Sequence, residues 1–125
     1  MTERNLTTKV AQYLQMAYPK VIYRFDLAAD QRLSIQQATR NSKLHGRWSR
    51  GFVDLTIFHK SGDYGALFIE LKVDTVYKKD GELKKSEHLR RQAEFHMMLR
   101  ERGYKAEFGC GFDEIKALID NYIKI

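Results

Sequence analysis

Three residues of the 125-residue chain, Asp54, Glu70 and Lys72, have types and spacing that could do chemistry, because they stand in two apolar runs, Phe52–His59 and Ala66–Val73. Strand side chains alternate faces, so Val53, Leu55 and Ile57 would share one face and Phe52, Asp54, Thr56 and Phe58 the other. In the second run Leu67, Ile69, Leu71 and Val73 share a face, opposite Phe68, Glu70 and Lys72. A hairpin turn symmetric about Gly62 pairs residue 54 with 70 and 52 with 72, placing the Asp54 and Glu70 Cβ atoms roughly 5 Å apart. Carboxylates so placed repel unless a shared proton, the Lys72 ammonium or a divalent cation compensates. Only the cation suits both oxygen-ligand chemistry and a phosphate substrate, since Mg²⁺ prefers one or two carboxylates, several waters and a phosphate oxygen. Lys72 would hold the attacking water or offset charge on the phosphate in the transition state. The plain alternative makes Asp54 a strand edge and Glu70–Lys72 a surface ion pair.

The elements that must position these residues follow from pattern. Leu6, Val10, Tyr13, Leu14 and Ala17 predict an amphipathic helix over 3–17, capped by Thr2 and stopped at Tyr18-Pro19. Glu3 then falls near the buried face at the helix start. Val21–Leu27 reads as a strand, and Ser34-Ile35-Gln36-Gln37 as a capping box opening a short helix. Residues 39–51 read as a polar, basic loop bounded by Gly46 and Gly51. Gly62-Asp63 marks the turn of the central hairpin, and residues 74–85, with Asp80-Gly81, are turn-rich. Ser86 caps a helix to about Arg102, closed by Gly103. Tyr104–Phe108 is a short strand, and Asp113 caps a last helix with an apolar face of Ile115, Leu118, Ile119, Tyr122 and Ile123. This order predicts one mixed α/β domain over residues 1–125, helices packed on a small sheet.

Composition narrows the function classes. With 43% hydrophobic and 30% charged residues the chain is globular in character. Cys110 is the only cysteine, which excludes an internal disulfide or a Cys-based zinc cage and suits a reducing, intracellular and cytoplasmic setting. Met1 leads into Thr2-Glu3-Arg4 with no apolar signal segment, and no run is long enough to cross a membrane. The formal charge of +6 favours a polyanionic partner. Arg40, Lys43, Arg47 and Arg50 gather around Trp48, and Lys78, Lys79, Lys84, Lys85, Arg90 and Arg91 form a second group; either is a DNA-contact candidate or a solvated face. Trp48 would stack on a base or pack under its loop.

Gly51-Phe52-Val53-Asp54-Leu55 followed by Tyr64-Gly65-Ala66-Leu67-Phe68-Ile69-Glu70-Leu71-Lys72 resembles the PD-(D/E)xK nuclease core, in the flavour of the VRR-NUC (virus-type replication-repair nuclease) family and its small stand-alone phage members. The similarity runs on through Gln92, Gly103-Tyr104-Lys105-Ala106, Gly111-Phe112-Asp113-Glu114 and Ile119-Asp120-Asn121-Tyr122. It implies a restriction-endonuclease-like core in which Asp54, Glu70 and the Leu71 backbone carbonyl ligate Mg²⁺ or Mn²⁺. It further implies that Lys72 activates or positions the hydrolytic water, that Gln92 supports the site, and that Glu3 completes the metal shell. Val53 stands where relatives carry proline, which bears on the strand entrance rather than the chemistry.

The remaining candidates have plainer readings. His88 and His96 share a helix face with Gln92 but nothing else points to a His-ligated metal, and Met97, Met98 and Cys110 read as packing. The expected function is therefore a metal-dependent DNA endonuclease. From the resemblance its substrate is branched, flapped or nicked DNA in replication, recombination or repair and its origin a phage gene in a bacterial host; a domain this small presents little surface to two duplex arms, so a homodimer is the expected state. The alternative is a non-catalytic DNA-junction-binding module that keeps the nuclease fold.

Overall fold

Thr2 caps the first helix as its position predicts, its hydroxyl accepting from the Asn5 amide at 3.1 Å. A computed structural model describes residues 1–26, 33–49 and 52–124. The elements are α1 (Glu3–Ala17), β1 (Ile22–Phe25), α2 (Ile35–His45), a 3-10 turn (Gly46–Ser49), β2 (Leu55–Phe58), β3 (Leu67–Lys72), α3 (Glu87–Glu101), β4 (Lys105–Cys110) and α4 (Phe112–Ile123). The four strands form one mixed sheet in the order β1-β2-β3-β4, antiparallel except for the parallel β3–β4 pair. A parallel pair needs a long crossover, and α3 supplies it.

One sheet face carries the main core. Leu55, Ile57, Leu67, Ile69 and Leu71 meet Leu6, Val10 and Leu14 of α1 and Ile115, Ile119 and Tyr122 of α4. Each such side chain contributes roughly 1.5–3 kcal/mol when fully buried. Helix α4 lies so close to β4 that a Cβ at Gly109 would stand 2.6 Å from Ile115 Cγ1, a separation only glycine permits. Asp120 ties α1 to α4, accepting from the Tyr13 and Tyr18 hydroxyls and from Lys116 Nζ at 2.9 Å. On the opposite face α3 covers β3 and β4, and Val53, Ala66, Phe68, Leu99 and Ala106 form a second, smaller core.

The expected fold class, a small mixed sheet flanked by helices, holds, and so does the hairpin register: Leu55↔Ile69, Thr56↔Phe68 and Ile57↔Leu67 all keep the predicted pairing. Several local expectations do not. Residues 39–45, read as loop, continue α2; the Ser34–Gln37 capping box is complete, and no breaker intervenes before Gly46 at φ 56. Arg50 and Gly51, at the end of that expected loop, and Leu27, at the end of the expected first strand, lie outside the described residues. Asp113 is not the cap of α4. Gly111 takes that position without a side-chain bond, and Asp113 sits in the first turn, where its charge suits the helix dipole. Ala17 is exposed rather than on the buried stripe of α1. Val53 does not share a face with Leu55 and Ile57 but packs with Phe68 and Leu99, because regular pairing begins only at Leu55 and the alternation breaks at Asp54.

Candidate active site

Asp54 stands one residue before the paired part of β2 and turns its carboxylate onto β3, where Oδ2 accepts from the Leu71 amide at 2.7 Å. Its own carbonyl accepts from the Asp26 amide at 2.8 Å, tying the end of β1 to the same point. Glu70, in mid-β3, points to the face covered by α3 and is 4% exposed. There Gln92 Nε2 donates to Glu70 Oε1. Gln92 reaches it because Ser86 caps α3 and sets the stripe Gln92, His96 and Leu99 against the sheet. Lys72, half-buried, ends β3 two residues on, and its charge bears on Asp54, Glu70, His88 and His96.

Burial is the main force on both carboxyls and pushes both above the ordinary carboxylate range. For Asp54 the Leu71 amide and the Lys72 ammonium oppose it, while Glu3 and Asp26 add to it. For Glu70 the charge of Asp54 adds most to burial and Glu3 adds a little, while Lys72 and the Asp54 backbone N–H oppose it. Glu70 Oε2 and Gln92 Oε1 are buried without a partner. Buried polar atoms are nearly always hydrogen-bonded, so an orphaned carboxylate oxygen beside a second carboxylate marks a place where a ligand's positive charge fits. The donor set is hard oxygen, and two carboxylates with water and phosphate suffice for Mg²⁺ or Mn²⁺. Among the described residues no three His, Cys, Asp or Glu side chains gather as a metal cage. Glu3 is exposed at the start of α1, and its charge is felt at Asp54, Glu70 and His88. The Leu71 peptide is held beside Asp54 through its N–H.

His96 is fully buried with neither ring nitrogen partnered, its ring edge-on to Phe108 at 4.6 Å. Burial, then Arg100 and Lys72, lower its pKa to about 4, so it is neutral at physiological pH.

The candidate DNA contacts divide. Arg40 and Lys43 are exposed on α2, and the Arg47 guanidinium lies 5.2 Å from the Trp48 ring. Trp48 itself stacks on Phe95 at 5.5 Å and remains 42% exposed, so it both packs and presents a face. Arg50 lies outside the described residues. Lys79, Lys84 and Lys85 are exposed, but Lys78 pairs with Glu82 at 3.6 Å and Arg90 with Glu87 and Glu94, so the second basic group is partly neutralised. Sequence reasoning passed over Arg24, Phe52 and Phe95, which line a groove of about 780 Å³ with Val53 and Phe68 in its wall; Asp54 itself opens onto a separate, smaller cavity with Thr7, Thr8 and Gln12 of α1. The signal for the groove was apolar residues on both faces of β1 and β2: Ile22 and Phe58 lie opposite the core and stay exposed.

No protein-family model matches the chain, and no curated protein matches it. A solved structure described as a "VRR_NUC domain protein" does, with 23% sequence identity, a TM-score of 0.70, and coverage of 99% of this chain and 89% of that one. The likeness is one of fold. No helix among the described residues is long and apolar enough to cross a membrane.

Proposed function

We propose that this chain is a Mg²⁺- or Mn²⁺-dependent nuclease that hydrolyses DNA phosphodiester bonds at Asp54, Glu70 and Lys72, acting as a homodimer on branched, flapped or nicked DNA. The observation that carries the reading is the buried Asp54–Glu70 pair, which burial and mutual repulsion make costly and which Lys72 and the Leu71 amide only partly offset. A protein keeps such a pair in its interior where function requires it. The fold shared with a VRR_NUC domain protein points the same way.

Asp54, Glu70 and the Leu71 carbonyl would hold the ion, with Glu3 the candidate for an outer, water-bridged contact. When bound, the ion would polarise a phosphoryl oxygen and neutralise charge. The chain's own groups do the rest. The Leu71 amide holds Asp54 in place, and Gln92 holds one oxygen of Glu70, which would leave the other for the ion. Lys72 orients a water oxygen toward phosphorus and offsets the charge that grows on the phosphate. Water adds to phosphorus, the P–O ester bond breaks, and the proton lost by water is balanced by one gained at the leaving oxygen. Exposed Arg40, Lys43, Lys79, Lys84 and Lys85 would grip the backbone, with affinity that falls as salt rises.

The test is cleavage of labelled linear, flapped and four-way-junction DNA with Mn²⁺ by wild type and Lys72→Ala. Cutting by wild type with a loss of 100-fold or more in the variant is expected. No cutting by either protein, with junction binding retained, would instead identify a binding module.

A further inference from the structure

We infer that the groove between the open half of the sheet and α3 is a docking site for an unpaired nucleobase of the cleaved strand, so that the substrate must contain single-stranded or locally unpaired DNA. The inference rests on the nuclease reading and specifies its substrate.

The groove is aromatic where it meets α3. Trp48, Phe52, Phe68 and Phe95 line it, and successive ring contacts join Trp48 to Phe95, Phe95 to Phe52 and Phe52 to Phe68, at 5.5, 5.3 and 6.4 Å. Trp48 and Phe52 remain 42% and 39% exposed, so the platform is built but not covered. A π-face of this kind binds a base by stacking, which a base inside a duplex cannot offer because its own neighbours occupy both faces.

Its position fits the chemistry. Val53, in the groove wall, precedes Asp54 in the chain, and Phe68 shares a sheet face with Glu70 two residues further along β3. At strand rise that separation is roughly 7 Å, within the reach of one nucleotide.

Charge selects a nucleic acid over an apolar protein segment as the occupant. From Gln31 to Val53 the sequence contains Arg32, Arg40, Lys43, Arg47 and Arg50 and no Asp or Glu. Helix α2, at the groove edge through Asn41, Leu44 and His45, buries none of its residues. An 11-residue helix gains little from propensity alone, and here its exposed Arg40 and Lys43 face solvent beside the platform. Arg24 and Arg102 stand in the groove wall against one acid, Asp26. A phosphate backbone running along α2, with one base turned inward, satisfies both the cations and the rings.

Trp48 is the only tryptophan, so its fluorescence reports the site directly. The experiment titrates the protein, with EDTA present, using a single-stranded 15-mer of dT, its fully duplex form, and the same strand with abasic sites. Quenching of Trp48 by the single strand is expected, with binding roughly tenfold tighter than to the abasic strand, as one to two stacked bases would give. Phe52→Ala should reduce that preference, and Trp48→Phe should keep it when binding is followed by anisotropy of a labelled strand. Equal affinity for the three DNAs, or no change in Trp48 emission at saturation, would overturn the proposal. Set beside the cleavage assay above, this binding experiment separates the two readings. Base-dependent binding by a protein that never cuts DNA would sink the nuclease reading alone, and cutting that is indifferent to unpaired bases would sink this one alone.

Discussion

Replacing Glu70 by Gln should stabilise the metal-free protein at pH 8 while abolishing its response to Mn²⁺. Glu70 is 4% exposed, so solvent screens it little. Burial first and Asp54 second raise its folded-state pKa above that of an unfolded chain. A carboxyl whose folded pKa is raised holds its proton more tightly in the native state, so stability falls as pH climbs from the unfolded value toward the folded one. Each pH unit in that window costs about 1.4 kcal/mol for a single group. Between an ordinary carboxylate pKa and pH 8 lie between three and four such units, a ceiling of roughly 5 kcal/mol. Relaxation and water entry reduce this, and a net gain of about 1–3 kcal/mol for Glu70→Gln at pH 8 is expected. The amide keeps an acceptor for Gln92 Nε2 and adds a donor, a type of group the buried Gln92 Oε1 lacks as a partner.

The assay is urea unfolding in EDTA at pH 5 and pH 8. At 1–3 kcal/mol the melting temperature at pH 8 should also rise by roughly 4–12 °C in a domain of this size. The gap should shrink to under about 1 kcal/mol at pH 5, where wild-type Glu70 carries its proton in the native state. Adding Mn²⁺ at pH 8 should stabilise wild type by mass action and leave Glu70→Gln unmoved. A variant that is less stable than wild type at pH 8 in EDTA, or a gap independent of pH, would refute the reasoning, because it would mean that the carboxylate is a net structural asset.

Two further outcomes are expected. Gln92→Ala removes the donor that holds Glu70 Oε1 and should weaken Mn²⁺ binding by about 10- to 100-fold, measured by calorimetry at pH 8, with a modest loss of stability. Asp120→Asn should cost roughly 2 kcal/mol in denaturant unfolding at neutral pH, since Asp120 accepts from Tyr13, Tyr18 and Lys116. Burial alone would raise the Asp120 pKa, but those three donors outweigh it and bring it down to about 2. Its contribution is thus complete above the unfolded carboxylate range and is lost as pH falls toward 2, so wild type and variant should converge in acid.

Much of this was readable in the residues, and the failures have two causes. Leu6, Val10 and Leu14, the Ser34 and Ser86 caps, and the alternation through Leu67, Ile69 and Leu71 are local signals that tertiary packing reinforces. The hairpin register was readable because a turn symmetric about Gly62 sets Leu55 opposite Ile69 and Ile57 opposite Leu67, and a one-residue slip would flip that apolar set to the other face. One failure depends on a contact distant in sequence, the other on a helix that makes few contacts. Val53 leaves its expected face because Asp54 is drawn to the Leu71 amide, and no local pattern encodes a bond across 17 residues. Helix α2 was underestimated because its polar surface resembles a loop when burial is the criterion, and α2 buries nothing. The pair Asp54 and Glu70 was visible as a motif, and Gln92 as its support through the family resemblance, a placement that the Gln92–Glu70 hydrogen bond matches; the aromatic groove required the crossover of α3 to be in place.

That crossover also explains why the site lies where it does. Helix α3 must return the chain from β3 to a parallel β4, so it can cover only that half of the sheet face. Over β1 and β2 the same face stays open, with Ile22 and Phe58 exposed at 68% and 54%. Glu70 belongs to the covered half and is desolvated by α3; Asp54 enters from the open half at the mouth of β2. The boundary between the two halves thus sets a desolvated carboxylate pair next to an open sheet face, the arrangement that the proposed cation and DNA strand would require. Moving either acid two residues along its strand would lose one of those conditions: Asp54 would enter the paired sheet at Thr56, and Glu70 would fall beneath Leu99 at Phe68.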